Sequence, residues 1–312
     1  MHIDGTKVLV TGGAGFIGSH VCSQLIDNGA DVQVFDNFFR GVQANISKKA
    51  ELIEGDIIDD ADMEKIGQAN PDVILHLAAI HYVPYCTENP QEAYETNVLG
   101  TRKVLNEARR ADVDKVVAAS SAAVYPSREE PNAETSELGA IDVYGDTKIL
   151  GEDLYRLFNY DTGIGIVGAR LFNVFGTRET NPHLIPAIVE QVKEGTEVNL
   201  GNLTSKRDFV YVTDVVDALT RMITDGPAEG YRNYNVGTGE PRSVREVYET
   251  VKRLVEKDIT LQQDKDRVRE SDRPKLQADI SRISAELDWQ PNVEFEEGVR
   301  RILHAHDIQT VE

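Results

Sequence analysis

A short apolar strand near the start of the chain runs directly into a glycine-rich turn and then into a helix. The strand covers residues 7–11, glycines follow at Gly12, Gly15 and Gly18, and residues 15–28 have a helical pattern. Glycines at this spacing permit a tight turn, close approach of the backbone to a pyrophosphate, and close packing of helix on strand. The helix N-terminus adds N–H donors and the positive end of its dipole. This unit predicts dinucleotide binding.

The same order of strand and helix repeats over the first two-thirds of the chain. The apolar runs are rich in β-branched residues and lack strict alternation, which is typical of strands buried on both faces. We therefore predict an α/β fold with a doubly wound parallel (Rossmann) sheet in residues 1–176. The predicted strands are 7–11, 31–35, 50–54, 73–77, 115–120 and 164–170, and the predicted helices are 15–28, 61–68, 93–110 and 144–160.

The pattern becomes mixed after Gly176, which predicts a smaller α/β C-terminal lobe over residues 177–312. Part of residues 205–240 is expected to return to the first domain. Ser243 is a plausible N-cap for the helix that follows it. The predicted helices are 184–194, 214–224 and 243–256, and the predicted strands are 198–200, 208–212 and 234–236. Two further segments, 283–287 and 296–305, close the chain and are assigned neither type.

The net charge and the cysteine content limit the partners, disulfides and metal sites that can be expected. The chain has 312 residues, with 33 Lys plus Arg against 53 Asp plus Glu, and a formal charge of −20. Such a chain repels phosphate on average, so we expect neither a nucleic-acid nor a membrane partner. Cys22 and Cys86 are too few for a disulfide framework, and no pattern predicts a metal site. We expect reduced thiols and a cytoplasmic location.

Asp36 ends the second predicted strand, 18 residues after Gly18. A carboxylate there can accept hydrogen bonds from both ribose hydroxyls and would repel a 2′-phosphate, which favours NAD over NADP. Two alternatives stay open at this point. Asp36 could simply begin a turn with Asn37, and the nearby Arg40 could accommodate a phosphate.

Tyr144 and Lys148 lie four residues apart at the start of a predicted helix and therefore share one face. A nearby ammonium and a positive nicotinamide both favour the phenolate, so this pair could transfer protons at an alcohol or ketone. Taken alone, the spacing is more often that of an exposed helix face. Ser121 adds weight because it follows a predicted strand at the sheet edge where such folds bind ligands.

Together these motifs resemble the extended short-chain dehydrogenase/reductases, the NAD-dependent nucleotide-sugar epimerases and dehydratases. The resemblance implies that Ser121, Tyr144 and Lys148 form the catalytic triad, with Tyr144 and Lys148 also contacting NAD. It implies further cofactor contacts at Gly12, Gly15, Phe16, Ile17, Gly18, Asp36, Asn37, Asp56, Ile57, Leu77, Ala78, Ala79 and Asn97.

The resemblance also implies a binding site for the nucleotide sugar. Asn173 matches a sugar contact, and Arg207 and Arg269 match the arginines that hold the diphosphate. Glu270 and Ser271 differ from the residues that usually follow the arginine of this motif. His81 occupies a loop that usually carries small or hydroxyl residues, and could be a substrate contact or a second acid–base group. Arg273 is interpreted as a surface ion pair.

The residues after Ser121 favour one reaction among those of the family. Sugar dehydratases of this type resemble each other in carrying acidic residues there, whereas this chain has Ala122 and Ala123. An alanine cannot move protons, which favours redox-neutral 4-epimerisation of a UDP-hexose. The alternatives are a dehydratase or reductase that uses His81 or Glu129, and a non-catalytic NAD-binding sensor. By resemblance, helices 93–110 and 144–160 imply a homodimer.

Overall fold

The computed structural model describes residues 1–264 and 273–311. Its strands are β1 (Lys7–Thr11), β2 (Asp31–Asp36), β3 (Glu51–Glu54), β4 (Val73–His76), β5 (Lys115–Ser121), β6 (Gly165–Leu171), β7 (Asn173–Phe175), β8 (Glu197–Leu200), β9 (Lys206–Tyr211), β10 (Tyr231–Val236), β11 (Pro241–Ser243), β12 (Thr260–Gln263) and β13 (Lys275–Leu276). Its α-helices are α1 (Phe16–Asp27), α2 (Asp60–Ala69), α3 (Val83–Glu88), α4 (Pro90–Tyr94), α5 (Thr101–Arg110), α6 (Val143–Thr162), α7 (Leu184–Glu194), α8 (Val212–Thr224), α9 (Val244–Leu254), α10 (Ser281–Leu287) and α11 (Phe295–Ala305).

Seven parallel strands form the central sheet in the order β3-β2-β1-β4-β5-β6-β10. The order reverses between β1 and β4, where doubly wound sheets open a ligand-binding crevice beyond the strand ends. Strands β4 and β6 are buried along their whole length because helices cover both faces. The predicted doubly wound Rossmann fold is confirmed.

The helices divide into two layers, one on each face of the sheet. Helices α1 and α8 pack on one face in a core that continues into the C-terminal lobe. Helices α2, α5 and α6 bury their apolar residues against the other face. Helix α6 begins at its N-cap Asp142, whose side chain accepts from the Gly145 N–H, and ends at Gly163 in the left-handed conformation (φ 76°). These two caps fix the length of the helix that carries Tyr144 and Lys148.

The C-terminal lobe adds two small sheets. Strand β9 pairs with β7, β11 and β13 in one sheet, and β8 pairs with β12 in the other. Strand β10 leaves the lobe and pairs in parallel with β6 at the edge of the main sheet. Ser243 caps α9 in a capping box with Glu246, as its position in the sequence suggests.

Several segments differ from the sequence predictions. The stretch predicted as one helix over 93–110 is α4, a π-helical turn over Glu95–Gly100, and α5. The sequence predicts no element at residues 83–88, which form α3, and no strand at β7, β11, β12 or β13. Within residues 1–264 and 273–311, no helix is long and apolar enough to cross a bilayer.

Candidate active site

A cleft of about 660 Å³ opens at the carboxyl edge of the sheet and extends to the C-terminal lobe. Of the residues predicted for the site, Asn97 does not line the cleft and Arg269 lies outside the described part of the chain. The cleft brings together Gly12, Gly15, Phe16, Ile17, Gly18, Asp36, Asn37, Asp56, Ile57, Leu77, Ala78, Ala79, His81, Ser121, Tyr144, Lys148, Asn173 and Arg207.

The glycine loop has the geometry that a dinucleotide requires. Gly12 has φ +71°, and a Cβ on it would lie 2.8 Å from the Ala78 nitrogen. A Cβ on Gly18 would lie 2.1 Å from the Gly12 oxygen, because α1 packs tightly on the loop. At Gly15 the nearest such atom, the Gly12 oxygen, is 3.2 Å away, and no side chain caps the first turn of α1. The amide donors of that turn are therefore available to a pyrophosphate.

Three polar residues occupy the end of the cleft next to β2. One carboxylate oxygen of Asp36 accepts from the Ala14 N–H (2.9 Å) and the other from the Phe38 N–H (2.8 Å). Burial raises the pKa of Asp36, and the two backbone hydrogen bonds act in the opposite direction. Asn37 Nδ2 donates to Asp56 (2.8 Å), which joins the loops after β2 and β3. This arrangement fits the ribose and adenine end of NAD.

Ser121, Tyr144 and Lys148 converge beyond the end of β5. The Ser121 side chain lies near the Tyr144 hydroxyl and acts to lower its pKa. Ser121 Oγ accepts from the Ala123 N–H (3.1 Å), which fixes its orientation. Lys148 Nζ donates to the Ala119 carbonyl (3.0 Å) and lies 5.8 Å from the centre of the Tyr144 ring. A phenol, a hydroxyl and an ammonium thus share one surface of the cleft.

Burial dominates the protonation of the tyrosine–lysine pair. It raises the pKa of Tyr144 above the ordinary phenol value, and the nearby Ser121 only partly offsets this. It lowers the pKa of Lys148 to about 8. Desolvation therefore favours the neutral form of each group in the NAD-free protein. The expectation of an acidified phenol includes the positive charge of the nicotinamide, and it stays a prediction.

A buried ion pair supports this triad from behind. Arg170 Nε and Nη2 donate to the two carboxylate oxygens of Glu152 (2.8 and 2.6 Å), and Ser120 Oγ also donates to Glu152 (2.6 Å). Glu152 lies one helical turn beyond Lys148 on α6. These bonds fix the helix against the ends of β5 and β6, since a bidentate pair allows little rotation.

Asn97 takes a different part from the cofactor contact implied by its motif. Its side chain is buried and exchanges two hydrogen bonds of 2.8 Å with the backbone of Ile80, and it donates to Thr147 (3.0 Å). These bonds join the π-helical turn, the loop after β4 and α6. Asn97 therefore shapes the wall of the cleft from behind.

His81 belongs to a polar cluster at the lobe side of the cleft. Asn181 Nδ2 donates to His81 Nε2 (2.8 Å), and the ring of His183 lies 5.9 Å from that of His81. Burial lowers the pKa of His81 to about 3, which favours the neutral ring in the NAD-free protein. Glu129, the other group considered for the dehydratase alternative, is exposed and is not among the cleft residues.

Sequence reasoning missed Glu179 and His183, which line the same cleft. His183 Nδ1 is hydrogen-bonded to Glu179, whose other carboxylate oxygen is buried without a partner among the described residues. Burial raises the pKa of Glu179. The signal that could have found the pair is its i, i+4 spacing just before a helix, although that spacing is common on surfaces.

Two arginines face the cleft from the C-terminal lobe. Arg207 Nη1 donates to the carbonyls of Lys206 (2.8 Å) and Arg273 (2.6 Å). The interpretation of Arg273 as a surface ion pair is wrong, because its side chain is only 8% exposed and pairs with the equally buried Asp142 at 2.9 Å. Sequence could not distinguish the two cases, since the ion pair joins residues 131 positions apart.

No group of three or more His, Cys, Asp or Glu residues in the described ranges 1–264 and 273–311 is arranged to hold a metal ion. The two cysteines are free and buried, and Cys86 donates to the Ile80 carbonyl (3.4 Å).

Comparison with known proteins agrees with this geometry. Residues 8–237 match the NAD dependent epimerase/dehydratase family. A Methanocaldococcus jannaschii protein, provisionally named UDP-glucose 4-epimerase, is 35% identical over 308 residues, which cover 95% of this chain and 97% of the relative. The crystal structure of Thermotoga maritima UDP-glucose 4-epimerase with UDP-glucose superposes with a TM-score of 0.89 at 30% identity, covering 97% and 99% of the chains. The Thermus thermophilus UDP-glucose 4-epimerase complex with NAD gives 0.89 at 31% identity, covering 96% and 98%.

Proposed function

Because the chain belongs to the NAD-dependent epimerase/dehydratase family, we propose that it interconverts the C4 epimers of a UDP-hexose. NAD is the cofactor of this family, and the glycine loop and Asp36 fit it. The observation that carries the proposal is the convergence of Ser121, Tyr144 and Lys148 in one cleft with that loop. The bound cofactor supplies the hydride acceptor and donor for the sugar carbon.

In this proposal the chain moves one proton and orients one oxygen. Tyr144 takes the proton from the sugar 4-hydroxyl and later returns it. Ser121, which lies near the Tyr144 hydroxyl, is proposed to hold the reacting oxygen. Lys148 supplies a positive charge beside the ring, which favours the phenolate as that charge develops. Ala122 and Ala123, which follow Ser121, have no group that could eliminate water.

The C-terminal lobe, residues 177–312, is proposed to bind the nucleotide sugar, and residues 1–176 to bind NAD. Arg207 lines the cleft on the lobe side and is proposed to contact the diphosphate. Arg269 is proposed for the same role on its motif alone. The exposed amide of Asn173, at the start of β7, is proposed to contact the sugar together with His81.

A second candidate function is a nucleotide-sugar dehydratase, and one observation favours it. The Glu179–His183 pair lines the same cleft and could supply a second acid–base couple. A dehydratase loses water and accumulates a 4-keto sugar, whereas an epimerase leaves the composition of the substrate unchanged. The two candidates therefore differ in their products.

We also propose that the protein acts as a homodimer. Apolar side chains are exposed along α6 and beside it: Leu150, Leu157 and Leu99 are 38%, 49% and 52% exposed. Leu150 and Leu157 are two turns apart on α6. Tyr94 Oη donates to Asp146 (2.6 Å), so the segment before α5 lies beside the start of α6. Exposed apolar side chains on neighbouring helices are typical of an interaction surface.

The test is turnover on a panel of UDP-glucose, UDP-galactose, their N-acetyl forms and the uronic acids. The purified, NAD-loaded protein is incubated with each, and the products are resolved by NMR. We expect one pair of C4 epimers at equilibrium from either direction. A 4-keto product would favour the dehydratase, and NAD binding without turnover on any sugar would favour a sensor.

A further inference from the structure

A buried arginine from the C-terminal lobe holds both sides of the catalytic centre. Arg273 Nη2 donates to the Ala123 carbonyl (3.0 Å) and Nε to the Tyr125 carbonyl (3.1 Å), while Nη1 pairs with Asp142 (2.9 Å). Ala123 and Tyr125 belong to the loop that begins at Ser121. Asp142 is the N-cap of α6, two residues before Tyr144.

We propose that Arg273 is a positioning residue that sets the distance between Ser121 and Tyr144. One planar guanidinium spans the loop and the helix cap, so neither can shift without breaking a charge-assisted bond. Asp142 caps the helix and binds the arginine at the same time. One of its carboxylate oxygens accepts from the Gly145 N–H (2.8 Å) and the other accepts from Arg273. This inference rests on the proposed proton transfer by Tyr144.

The loop and the helix start are already in close contact, which makes the register between them sensitive. A Cβ on Gly145 would lie 2.4 Å from the Ala123 carbonyl oxygen. That same oxygen accepts from Arg273. The arginine therefore acts where the two catalytic segments approach most closely.

Arg273 is itself fixed to the part of the lobe that faces the cleft. Its carbonyl accepts from Arg207 (2.6 Å), and the carbonyl of the next residue, Pro274, accepts from the Lys206 N–H (2.8 Å). Strand β13 then pairs in parallel with β9, which carries Arg207. The chain of contacts thus runs from the lobe, through Arg273, to the N-terminus of α6. In this proposal, the position of the lobe and the alignment of Ser121 with Tyr144 are coupled through Arg273.

The test compares Arg273→Gln with a matched control, Arg221→Gln. Arg221 also donates to two backbone carbonyls, of Leu287 and Asp288, and pairs with an aspartate, Asp217, but it is not among the cleft residues. We expect Arg273→Gln to retain NAD and its KM for the UDP-hexose, and to lose about 10- to 100-fold in kcat, the scale of a small misplacement of reacting groups. Arg221→Gln should keep wild-type kcat.

A second variant tests the same contact from the other side, in case Arg273→Gln does not fold. Asp142→Ser keeps an N-cap for α6 but removes the carboxylate that Arg273 binds. It should show the same loss in kcat at unchanged KM. Wild-type kcat in Arg273→Gln or Asp142→Ser would overturn the proposal. A rise in KM alone would also overturn it, because it would make Arg273 a substrate ligand, as would an equal loss in Arg221→Gln.

Amide hydrogen exchange separates this inference from the proposed function, since it needs no turnover. In the NAD-loaded protein, Arg273→Gln should speed exchange in residues 121–125 and 142–147 and leave the rest of α6 unchanged. If wild-type protein turns over no UDP-hexose but the exchange changes as expected, the proposed function fails and the structural coupling stands. Unchanged exchange in both segments would overturn the coupling.

Discussion

At the scale of single residues, Tyr144 and Lys148 sit where water is excluded, and each is driven toward its neutral form. Burial raises the pKa of the phenol and lowers that of the ammonium to about 8. A buried charge costs free energy unless it is compensated. Tyr144 must lose its own proton before it can take one from the sugar hydroxyl, so the positive charges of Lys148 and bound NAD have to offset the cost of burial. Activity should then depend on the tyrosine hydroxyl itself.

Tyr144→Phe removes that hydroxyl and little else. We expect kcat to fall about 10²- to 10⁴-fold, the usual contribution of a positioned acid–base group, with NAD still bound. The measurement is steady-state turnover together with the NAD content of the denatured variant. Tyr155→Phe, a buried tyrosine on the same helix, is the control and should stay near wild type. Equal turnover in Tyr144→Phe and wild type would contradict the role assigned to Tyr144.

Lys148→Met should stabilise the NAD-free protein at neutral pH while inactivating it. The folded-state pKa of Lys148, about 8, lies below its ordinary 10.5, so the unfolded chain binds more protons between these values. The penalty for burying the ammonium is therefore full below pH 8 and disappears as pH rises toward 10.5. At about 1.4 kcal/mol per pKa unit, it amounts to about 3 kcal/mol at most.

Urea unfolding of both proteins at several pH values measures this difference. The advantage of Lys148→Met should be largest at pH 7 and shrink toward pH 10. A variant that is no more stable at pH 7, or whose advantage grows with pH, would show that the ammonium is not penalised by burial.

At the scale of elements, two glycines of the loop have different roles: one is needed for the packing of α1 and the other for the approach of the pyrophosphate. Gly18 is required by the packing of α1, since a Cβ there would lie 2.1 Å from a backbone oxygen. Gly15 has more room, and its nearest atom would be 3.2 Å away. Gly15 lies at the start of α1, where a bound pyrophosphate approaches the backbone and a side chain would be in its way.

The two alanine variants should therefore fail differently. Gly15→Ala is expected to keep nearly the wild-type melting temperature and lose NAD affinity. Gly18→Ala is expected to lose both, with an unfolding cost of about 1–3 kcal/mol from overpacking. Thermal unfolding of the NAD-free proteins and calorimetric titration with NAD distinguish the outcomes. Equal effects of both substitutions on stability would contradict this division.

Local patterns predicted the elements well where periodicity and capping act alone. β1 and α7 have the bounds expected from sequence, and Ser243 caps α9. The π-helical turn before α5 was not foreseen, because it depends on the bonds of Asn97 to Ile80 and Thr147. Those contacts are tertiary and leave no periodic signal.

The residues of the site also divide into those that the sequence could predict and those that it could not. Motif residues such as Tyr144 and Asp36 could be found because their chemistry requires a fixed spacing from a strand or a glycine loop. Arg273 and Glu179 could not, since their importance comes from burial against distant segments of the chain. The effect of burial on Tyr144 could not be predicted for the same reason: the sequence shows the neighbouring lysine but not the exclusion of water, which raises the pKa of the phenol.

At the scale of the whole molecule, the cleft is less acidic than the chain, whose formal charge is −20. It is lined by four basic residues, Arg40, Lys148, Arg207 and Arg273, and by five acidic ones, Asp36, Asp56, Glu92, Asp142 and Glu179. Local basic groups can hold an anionic ligand that the rest of the surface repels. This agrees with a nucleotide sugar as substrate and leaves the apolar face of α6 as the surface suited to a second copy.

Leu157→Glu places a charge on that face and should convert a dimer into a monomer. Light scattering during gel filtration measures the mass directly. Val42→Glu is the control, since Val42 is comparably exposed at 40% but lies in another part of the chain. A wild-type monomer, or a dimer that survives Leu157→Glu, would contradict the proposed interface.

The most direct test of the central claim, internal return of the hydride to C4, is epimerisation in D₂O followed by NMR. NAD-loaded protein is incubated with its UDP-hexose until the C4 epimers equilibrate, and each ring carbon is examined for deuterium. The account predicts equilibration with no deuterium on any carbon and no net NADH, because the hydrogen that leaves C4 returns without exchange with solvent. Deuterium at C3 or C5, or loss of water from the sugar, would contradict it and assign solvent-exchanging acid–base chemistry to this cleft.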